Sequence, residues 1–363
     1  MKNIYGNSIT VTLFGESHGE AIGVVLDGLA PGIEVNEAFI RHQLSLRKSY
    51  GDISTKRCEA DDFSIISGVY NGYTTGTPVC IIIENQNKKS SDYSAFENKA
   101  RPGHADYTAF LKYHGFEDSR GGGHFSGRIT AALVAGAAII IYALRKKGVN
   151  IATHIKKCAG VSDRDFNELS TDLNLLNDKL FAVLDDDAGE KMQEKIRLAA
   201  SNLDSVGGVL ETVVLGMPAG VGEPWFDSLE SMLSHGLFSI PAVKGVEFGD
   251  GFKLAEKFGS TANDEFVMED GKIVTKTNHN GGINGGISNG MPIVFSLAVK
   301  PTPSIAKSQE TVDFVKKENV SIEIKGRHDP CIVHRARVVV DSITAITVAD
   351  ALAMRFGTDY LKG

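Results

Sequence analysis

The chain has 363 residues, 42% hydrophobic and 23% charged, enough to bury a sizeable core in one large domain or two of ordinary size. Its net charge of −7 and sequence pI of about 5.8 argue against a general nucleic-acid binder, which needs a basic surface, so any anion site must be a local basic cluster. Cys58, Cys80, Cys158 and Cys331 are widely spaced with no CxxC pair, and suggest neither a zinc site nor a disulfide framework.

The opening MKNIYGNSITVTLFG lacks the long apolar run of a signal peptide. Residues 8–14 read as a strand. GESHGEAIG follows, with Glu16, Ser17 and His18 on a turn between Gly15 and Gly19. His18 has three readings there: a turn histidine with a local hydrogen bond, a metal ligand, or an acid. Ala21–Asp27 reads as a second strand and GLAPG as a turn. Asn36 caps a helix over Glu37–Leu46. Arg47 and Lys48 end it beside the polar loop SYGDISTKR, either as solvated cations that complement the helix C-terminus or as a basic lid over an anion. Residues 63–69 and 77–84 read as strands, Asn71-Gly72 between them is a hairpin signal, and residues 85–99 read as a polar surface loop.

The most informative stretch is RPGHADYTAFLKYHGFEDSRGGGHFSGR, from Arg101 to Arg128. A glycine-rich turn before a helix start offers backbone N–H groups and a positive helix end to an anion. Arg101, Arg120 and Arg128 add bidentate contacts to phosphate or carboxylate, and His104 or His124 can move a proton near neutral pH. The competing reading is a glycine-rich loop with solvated arginines. Residues 129–144 are uncharged and Ala-rich but short of the roughly 20 needed to span a bilayer, which suits a buried helix. The expectation is a soluble, cytoplasmic protein.

Residues 159–185 carry mixed signals. Residues 189–200 read as a helix and residues 209–215 as a strand, followed by a turn and an amphipathic helix. Gly216 and Gly220 echo Gly28 and Gly32, and Gly290-Met291-Pro292 before an apolar run echoes Gly76-Thr77-Pro78. Two echoes in the same order suggest two similar halves, near 1–150 and 200–363, built as sheet and helix layers. Asp270-Gly271 is a second hairpin signal. NHNGGINGGISNG has too many glycines for a packed element, so backbone approaches a ligand or another chain there. It is not GxGxxG in a βαβ unit and no GxxxxGK[ST] occurs, which disfavours a Rossmann domain and a P-loop. KPTPS is a rigid turn with one cation. In KGRHDP, Asp329 is either a poised base or part of an ion-paired turn before Pro330. Residue 338 onward reads as a strand, then a C-terminal helix through Leu352.

GESHGEAIGVVLDGLAPG, RPGHADYT, DSRGGGHFSGR, SIPAVKGVEFGDGF, NHNGGINGGISNG, KPTPSI and KGRHDPC occur in this order across nearly the whole chain, which closely resembles the chorismate synthase family. The resemblance implies an α+β fold, a β-α-β sandwich with antiparallel sheets around a helical layer and an internal pseudo-repeat, in a single domain over residues 1–363. It implies 1,4-trans elimination of phosphate from 5-enolpyruvylshikimate 3-phosphate, giving chorismate, the last step of the shikimate pathway. The reaction has no net redox change yet requires reduced FMN. NADPH enters only indirectly, through a separate flavin reductase. The alternatives are a bifunctional form that reduces its own flavin, and a non-catalytic phosphate-ligand binding protein.

By motif match, His18 resembles the histidine that protonates the leaving phosphate, His104 the one that protonates or stabilises reduced flavin, and Asp329 the base that works with flavin N5. The resemblance assigns Arg47, Arg101, Arg128 and Arg327 to substrate. It assigns flavin contacts to His124, Phe125, Ser126, Ala242, Gly285, Arg327 and the run Lys300, Pro301, Thr302, Pro303 and Ser304. His124 and Phe125 stand where many members have Arg and Ser. GDIST lacks a second arginine common in the family, and Pro241 stands where many have Asn. Members are typically homotetramers; neither nucleic acid nor a membrane is an expected partner.

Overall fold

A computed structural model describes residues 2–49, 51–55, 60–86, 98–324 and 329–362. Cys58, Arg327 and His328 lie outside the described residues. The first half of the chain comprises β1 (Ile4–Tyr5), β2 (Thr10–Gly15), β3 (Ala21–Asp27), α1 (Glu37–Leu46), β4 (Phe63–Ser67), β5 (Val69–Tyr70), β6 (Tyr73–Thr74), β7 (Val79–Glu84), α2 (Asp106–Tyr113) and α3 (Thr130–Lys146). Next come β8 (Asn150–Cys158), β9 (Val161–Ser162), α4 (Leu169–Leu176), α5 (Asp186–Ser201), β10 (Gly208–Leu215), α6 (Leu229–Leu237), β11 (Val243–Phe248) and α7 (Gly259–Ala262). The chain ends with β12 (Phe266–Glu269), β13 (Lys272–Thr275), β14 (Ile283–Asn284), β15 (Ile287–Ser288), β16 (Ile293–Val299), β17 (Ser308–Asp313), β18 (Glu318–Glu323) and α8 (Val333–Phe356).

Two five-stranded antiparallel sheets, ordered β1-β2-β3-β7-β4 and β11-β16-β10-β8-β9, enclose a helical layer. α3 packs on β3 and β7, α8 on β8 and β10, and the two helices on each other; α1 flanks α3 and α6 flanks α8. This is the sandwich that the motifs implied. The order β2-β3-β7-β4 in one sheet matches β8-β10-β16-β11 in the other. The turn glycines match too. Gly28 and Gly216 have φ of 83° and 81°, and a Cβ would lie 2.0 Å from the Ser8 carbonyl oxygen and 2.1 Å from that of Gly148.

Asn36 caps α1 as expected, its side chain accepting from the Phe39 N–H at 3.0 Å. The strand expected at 63–69 breaks at Gly68, and that at 77–84 starts only after Pro78. Asn71-Gly72 closes the short ribbon β5–β6, not a hairpin joining the longer strands; Asp270-Gly271 closes β12–β13. Asp185 caps α5, which begins three residues before the expected start.

The strand expected from residue 338 is absent: the whole segment is α8. Val338, Val339 and Val340 favour a strand by propensity, but here tertiary packing decides. The helix is surrounded by sheets and helices, so apolar residues on all its faces are buried. Ser342, Thr344 and Thr347 hydroxyls donate back to the carbonyls of Val338, Val340 and Ile343, so they add no unpaired polar groups to the core. The apolar span Gly127–Lys146 is 83% buried inside the protein, as befits a core helix.

Candidate active site

A cavity of about 1270 Å³ opens where the N-terminal ends of α3 and α8 meet the C-terminal ends of α1 and α6. Among the described residues, ten lysine and arginine side chains line it against five carboxylates. That excess of five positive charges sits on a chain whose net charge is −7. Neither α3 nor α8 has an acidic residue in its first turn, so their dipoles add to the positive potential.

The glycine triplet forms a tight turn over Arg120–Phe125, with φ of 61°, 88° and 54° at Gly121, Gly122 and Gly123. A Cβ on Gly121 would lie 2.0 Å from His18 Cε1. Glycine therefore lets the turn rest directly on the imidazole. His18 is buried behind this turn, with Nδ1 3.1 Å from Ser17 Oγ. The single Ser17 hydroxyl proton faces the carbonyls of Arg120 and Gly121, at 3.2 and 3.3 Å. With that proton on a carbonyl, Ser17 Oγ accepts from Nδ1–H, the tautomer that leaves Nε2 for proton transfer. His124 Nδ1–H donates to the Gly15 carbonyl at 2.8 Å, tying the turn to the loop that carries His18.

RPGHAD and KPTPS dock on each other. Lys300 Nζ donates to the Gly103 carbonyl at 2.7 Å, and His104 Nε2 lies 2.7 Å from Ser304 Oγ. Thr302 and Pro303 line the cavity, and Thr302 Oγ1 is buried with no hydrogen-bond partner among the described residues. Ala242, at φ 75°, borders the same wall and accepts from the Lys300 N–H. Phe125 and Ser126 also face the cavity; Phe125 meets Tyr113 edge-on at 6.1 Å, and Ser126 Oγ accepts from the Arg128 N–H. Pro301 is exposed, and neither it nor Gly285, in the β14–β15 turn, lines the cavity.

Arg120 is exposed and turned onto Asp118, Nε and Nη2 each donating at 2.8 Å, so the solvated reading holds for it; Arg101, Arg128 and Arg47 are in the wall. Arg101 makes a two-pronged ion pair with Asp106, through Nε at 2.8 Å and Nη2 at 2.7 Å. Arg128 is buried, with Nε donating to Asn85 Oδ1 at 3.0 Å and Nη1 to Asp61. Arg47 is also buried, Nη2 lying 3.4 Å from Asp61 Oδ2. Helix-end solvation is thereby ruled out for Arg47, which faces the cavity. Asp329 accepts from the Thr55 N–H at 2.8 Å and from Arg335 Nη1 at 2.6 Å, and Arg335 Nε donates to the Arg47 carbonyl at 3.0 Å.

The site thus gathers Arg47, Arg101, His104, His124, Arg128, Lys300 and Asp329 around one space. Sequence reasoning missed Asp61, Asn85 and Arg335. Asp61 and Asn85 sit in polar stretches with no local signal. Arg335 was concealed because the start of α8 was not recognised.

A family model described as chorismate synthase matches residues 9–353. Chorismate synthase of Pyrococcus abyssi (strain GE5 / Orsay) is 47% identical over 350 residues, covering 96% of this chain and 97% of that protein. The Thermococcus kodakarensis enzyme of the same name is 46% identical over 350 residues, with the same coverage. The Methanosarcina mazei one is 45% identical over 351 residues, covering 96% of this chain and 95% of its own. A crystal structure of a chorismate synthase is similar with a TM-score of 0.75 at 27% identity, covering 97% of this chain and 94% of that one.

Proposed function

The chain belongs to the chorismate synthase family, and we propose that the cation-lined cavity is where its residues carry out the reaction. That reaction eliminates phosphate from 5-enolpyruvylshikimate 3-phosphate to give chorismate, the last step of the shikimate pathway, so the enzyme is a lyase. The observation that carries the proposal is the local excess of positive charge, with His104, His124 and Asp329 on the same walls.

The substrate bears a phosphate and carboxylates. Arg47 and Arg128, held in the wall by Asp61, bind these anions, with Arg101 at the edge and Arg327 as a further contact. His18, which lies behind the glycine turn and is not a wall residue of the cavity, supplies through Nε2 the proton that reaches the departing phosphate, with Ser17 at Nδ1. Asp329 accepts the proton removed from carbon, oriented by the Thr55 N–H and by Arg335. The α3 and α8 dipoles stabilise the negative charge that gathers on phosphate as the C–O bond breaks.

Reduced FMN is part of the reading. The cavity exceeds the roughly 300–1,000 Å³ usual for a single small-molecule site, so it has room for a flavin beside the substrate. The partnerless Thr302 hydroxyl is a donor suited to a heteroaromatic ring, and the Lys300–Ser304 turn, Ala242, His124 and Ser126 supply the surrounding polar and backbone groups. When bound, reduced flavin would supply electron density to the allylic system as phosphate leaves and recover it afterwards. His104, steadied by Ser304, stabilises charge on it. A separate reductase provides the reduced flavin, and NADPH acts only through that partner.

Anaerobic incubation with 5-enolpyruvylshikimate 3-phosphate and chemically reduced FMN tests the proposal, with oxidised FMN plus NADPH in parallel. Chorismate is expected only in the first. Chorismate in both would reveal an intrinsic flavin reductase, and none in either would contradict the catalytic reading.

A further inference from the structure

Asp61 lies outside the seven sequence motifs quoted above, yet it sits at the centre of the basic wall. Its side chain is 4% exposed, between those of Arg47 at 9% and Arg128 at 6%. One carboxylate oxygen faces Arg47 Nη2 at 3.4 Å and the other pairs with Arg128 Nη1. Its backbone is left-handed, φ 55°, a conformation that aspartate tolerates better than most residues.

The two arginines come from different elements. Arg47 is the C-cap of α1 and Arg128 lies in the turn before α3. Continuous secondary structure does not set the distance between their guanidinium groups, and two buried cations repel one another. A carboxylate shared by both removes that repulsion and fixes their separation. The fixed pair is braced on each side: Arg128 Nε on Asn85 Oδ1, and the Arg47 carbonyl on Arg335 Nε.

A negative group in an anion site also has a cost, because it repels the ligand. A single free phosphate gains little from the spacing and feels the full repulsion. A ligand with several anions at fixed separations gains from the spacing. We propose that Asp61 is a positioning and specificity-determining residue that makes the cavity prefer the substrate, with its phosphate and carboxylates, to free phosphate. This rests on the reading of Arg47 and Arg128 as substrate ligands.

The test is calorimetric titration of the flavin-free protein with 5-enolpyruvylshikimate 3-phosphate and, separately, with inorganic phosphate. Asp61→Asn keeps the shape and removes the charge. The ratio of the two dissociation constants is expected to shift toward free phosphate by at least about tenfold, with KM rising more than kcat falls. A residue that only stabilised the fold would weaken both ligands together. A ratio unchanged in Asp61→Asn, while Arg128→Met weakens substrate binding, overturns the role of Asp61. Wild-type substrate affinity in Arg128→Met overturns the site reading and the proposal with it. Should Asp61→Asn not fold, Asp61→Glu keeps the charge but moves it by one methylene, and a smaller shift in the same direction is expected through the lost spacing; an unchanged ratio there overturns the proposal.

Discussion

His18 is held from two directions, by Ser17 Oγ at Nδ1 and by the Gly121 backbone against the ring. The glycine is the more sensitive of the two. Gly121→Ala would place a methyl group 2.0 Å from the imidazole in a backbone conformation that alanine resists. We expect chorismate formation to fall at least about tenfold, with the circular dichroism spectrum unchanged. Wild-type turnover would show that the imidazole position does not matter. The sequence made His18 conspicuous, because a histidine between glycines on a turn is unusual. It did not reveal the partners that give each arginine its geometry. Asp61 and Arg335 reach Arg47, Arg128 and Asp329 only through the tertiary fold. The same sequence stretch left Arg101 ambiguous between solvated and ligand-binding; its pairing with Asp106, five residues on, makes it an ordered wall group.

Among the elements, α1 was legible to the residue because its start is chemical: Asn36 supplies an acceptor to an unpaired helical N–H. Asn36→Ala should cost about 1 kcal/mol in urea unfolding with little change in turnover. α8 was misread for the opposite reason, since its formation depends on sheets that close around it. The β8–β10–β16 face carries a network that sequence spacing did not reveal. His154 donates toward Asp163 at 2.8 Å and lies 3.3 Å from Glu211, which also pairs with Lys156 and accepts from Ser296; Phe166 covers the ring. Burial alone would lower the His154 pKa, but the two carboxylates outweigh it and raise it above the ordinary 6.5. Burial also opposes ionisation of Glu211, yet His154 and Lys156 hold it down to about 2. The stabilisation from His154 is therefore fully present below pH 6.5 and is lost as pH rises through its higher folded value. That from Glu211 is present above pH 4.5 and is lost as pH falls toward 2. Thermal unfolding should show Tm declining as pH rises above 6.5, and His154→Gln should flatten that decline. An equal decline in the variant would assign it to other groups.

At the scale of the molecule, the echoed glycines and prolines pointed to repetition, and the matching strand orders of the two sheets carry the same pattern. The halves meet along α3 and α8, and the cavity opens at that junction. RPGHADYT, DSRGGGHFSGR, SIPAVKGVEFGDGF, KPTPSI and KGRHDPC each place residues on the cavity wall at this junction. What sequence could not convey was depth: His18 lies behind the glycine turn, and Gly285 is away from the cavity. Trp225, Phe226, Phe252 and Phe258 are more than four-fifths exposed, an apolar burden that favours self-association. We propose a homotetramer, for which sedimentation should give about 156 kDa, four times 39.0 kDa. A sedimenting species of 39.0 kDa would contradict it.

The central claim is that this cavity breaks a C–H bond and expels phosphate with Asp329 as the proton acceptor. The most direct measurement is the anaerobic single-turnover rate of chorismate formation by Asp329→Asn with reduced FMN and bound substrate. Asparagine keeps one acceptor oxygen, for the Thr55 N–H or for Arg335 Nη1 but not for both, so substrate affinity is measured beside the rate to report any shift of the loop. We expect the rate to fall by at least about a hundredfold while substrate affinity stays within a few-fold of wild type. A wild-type rate in that variant would contradict the claim and move the base elsewhere in the site.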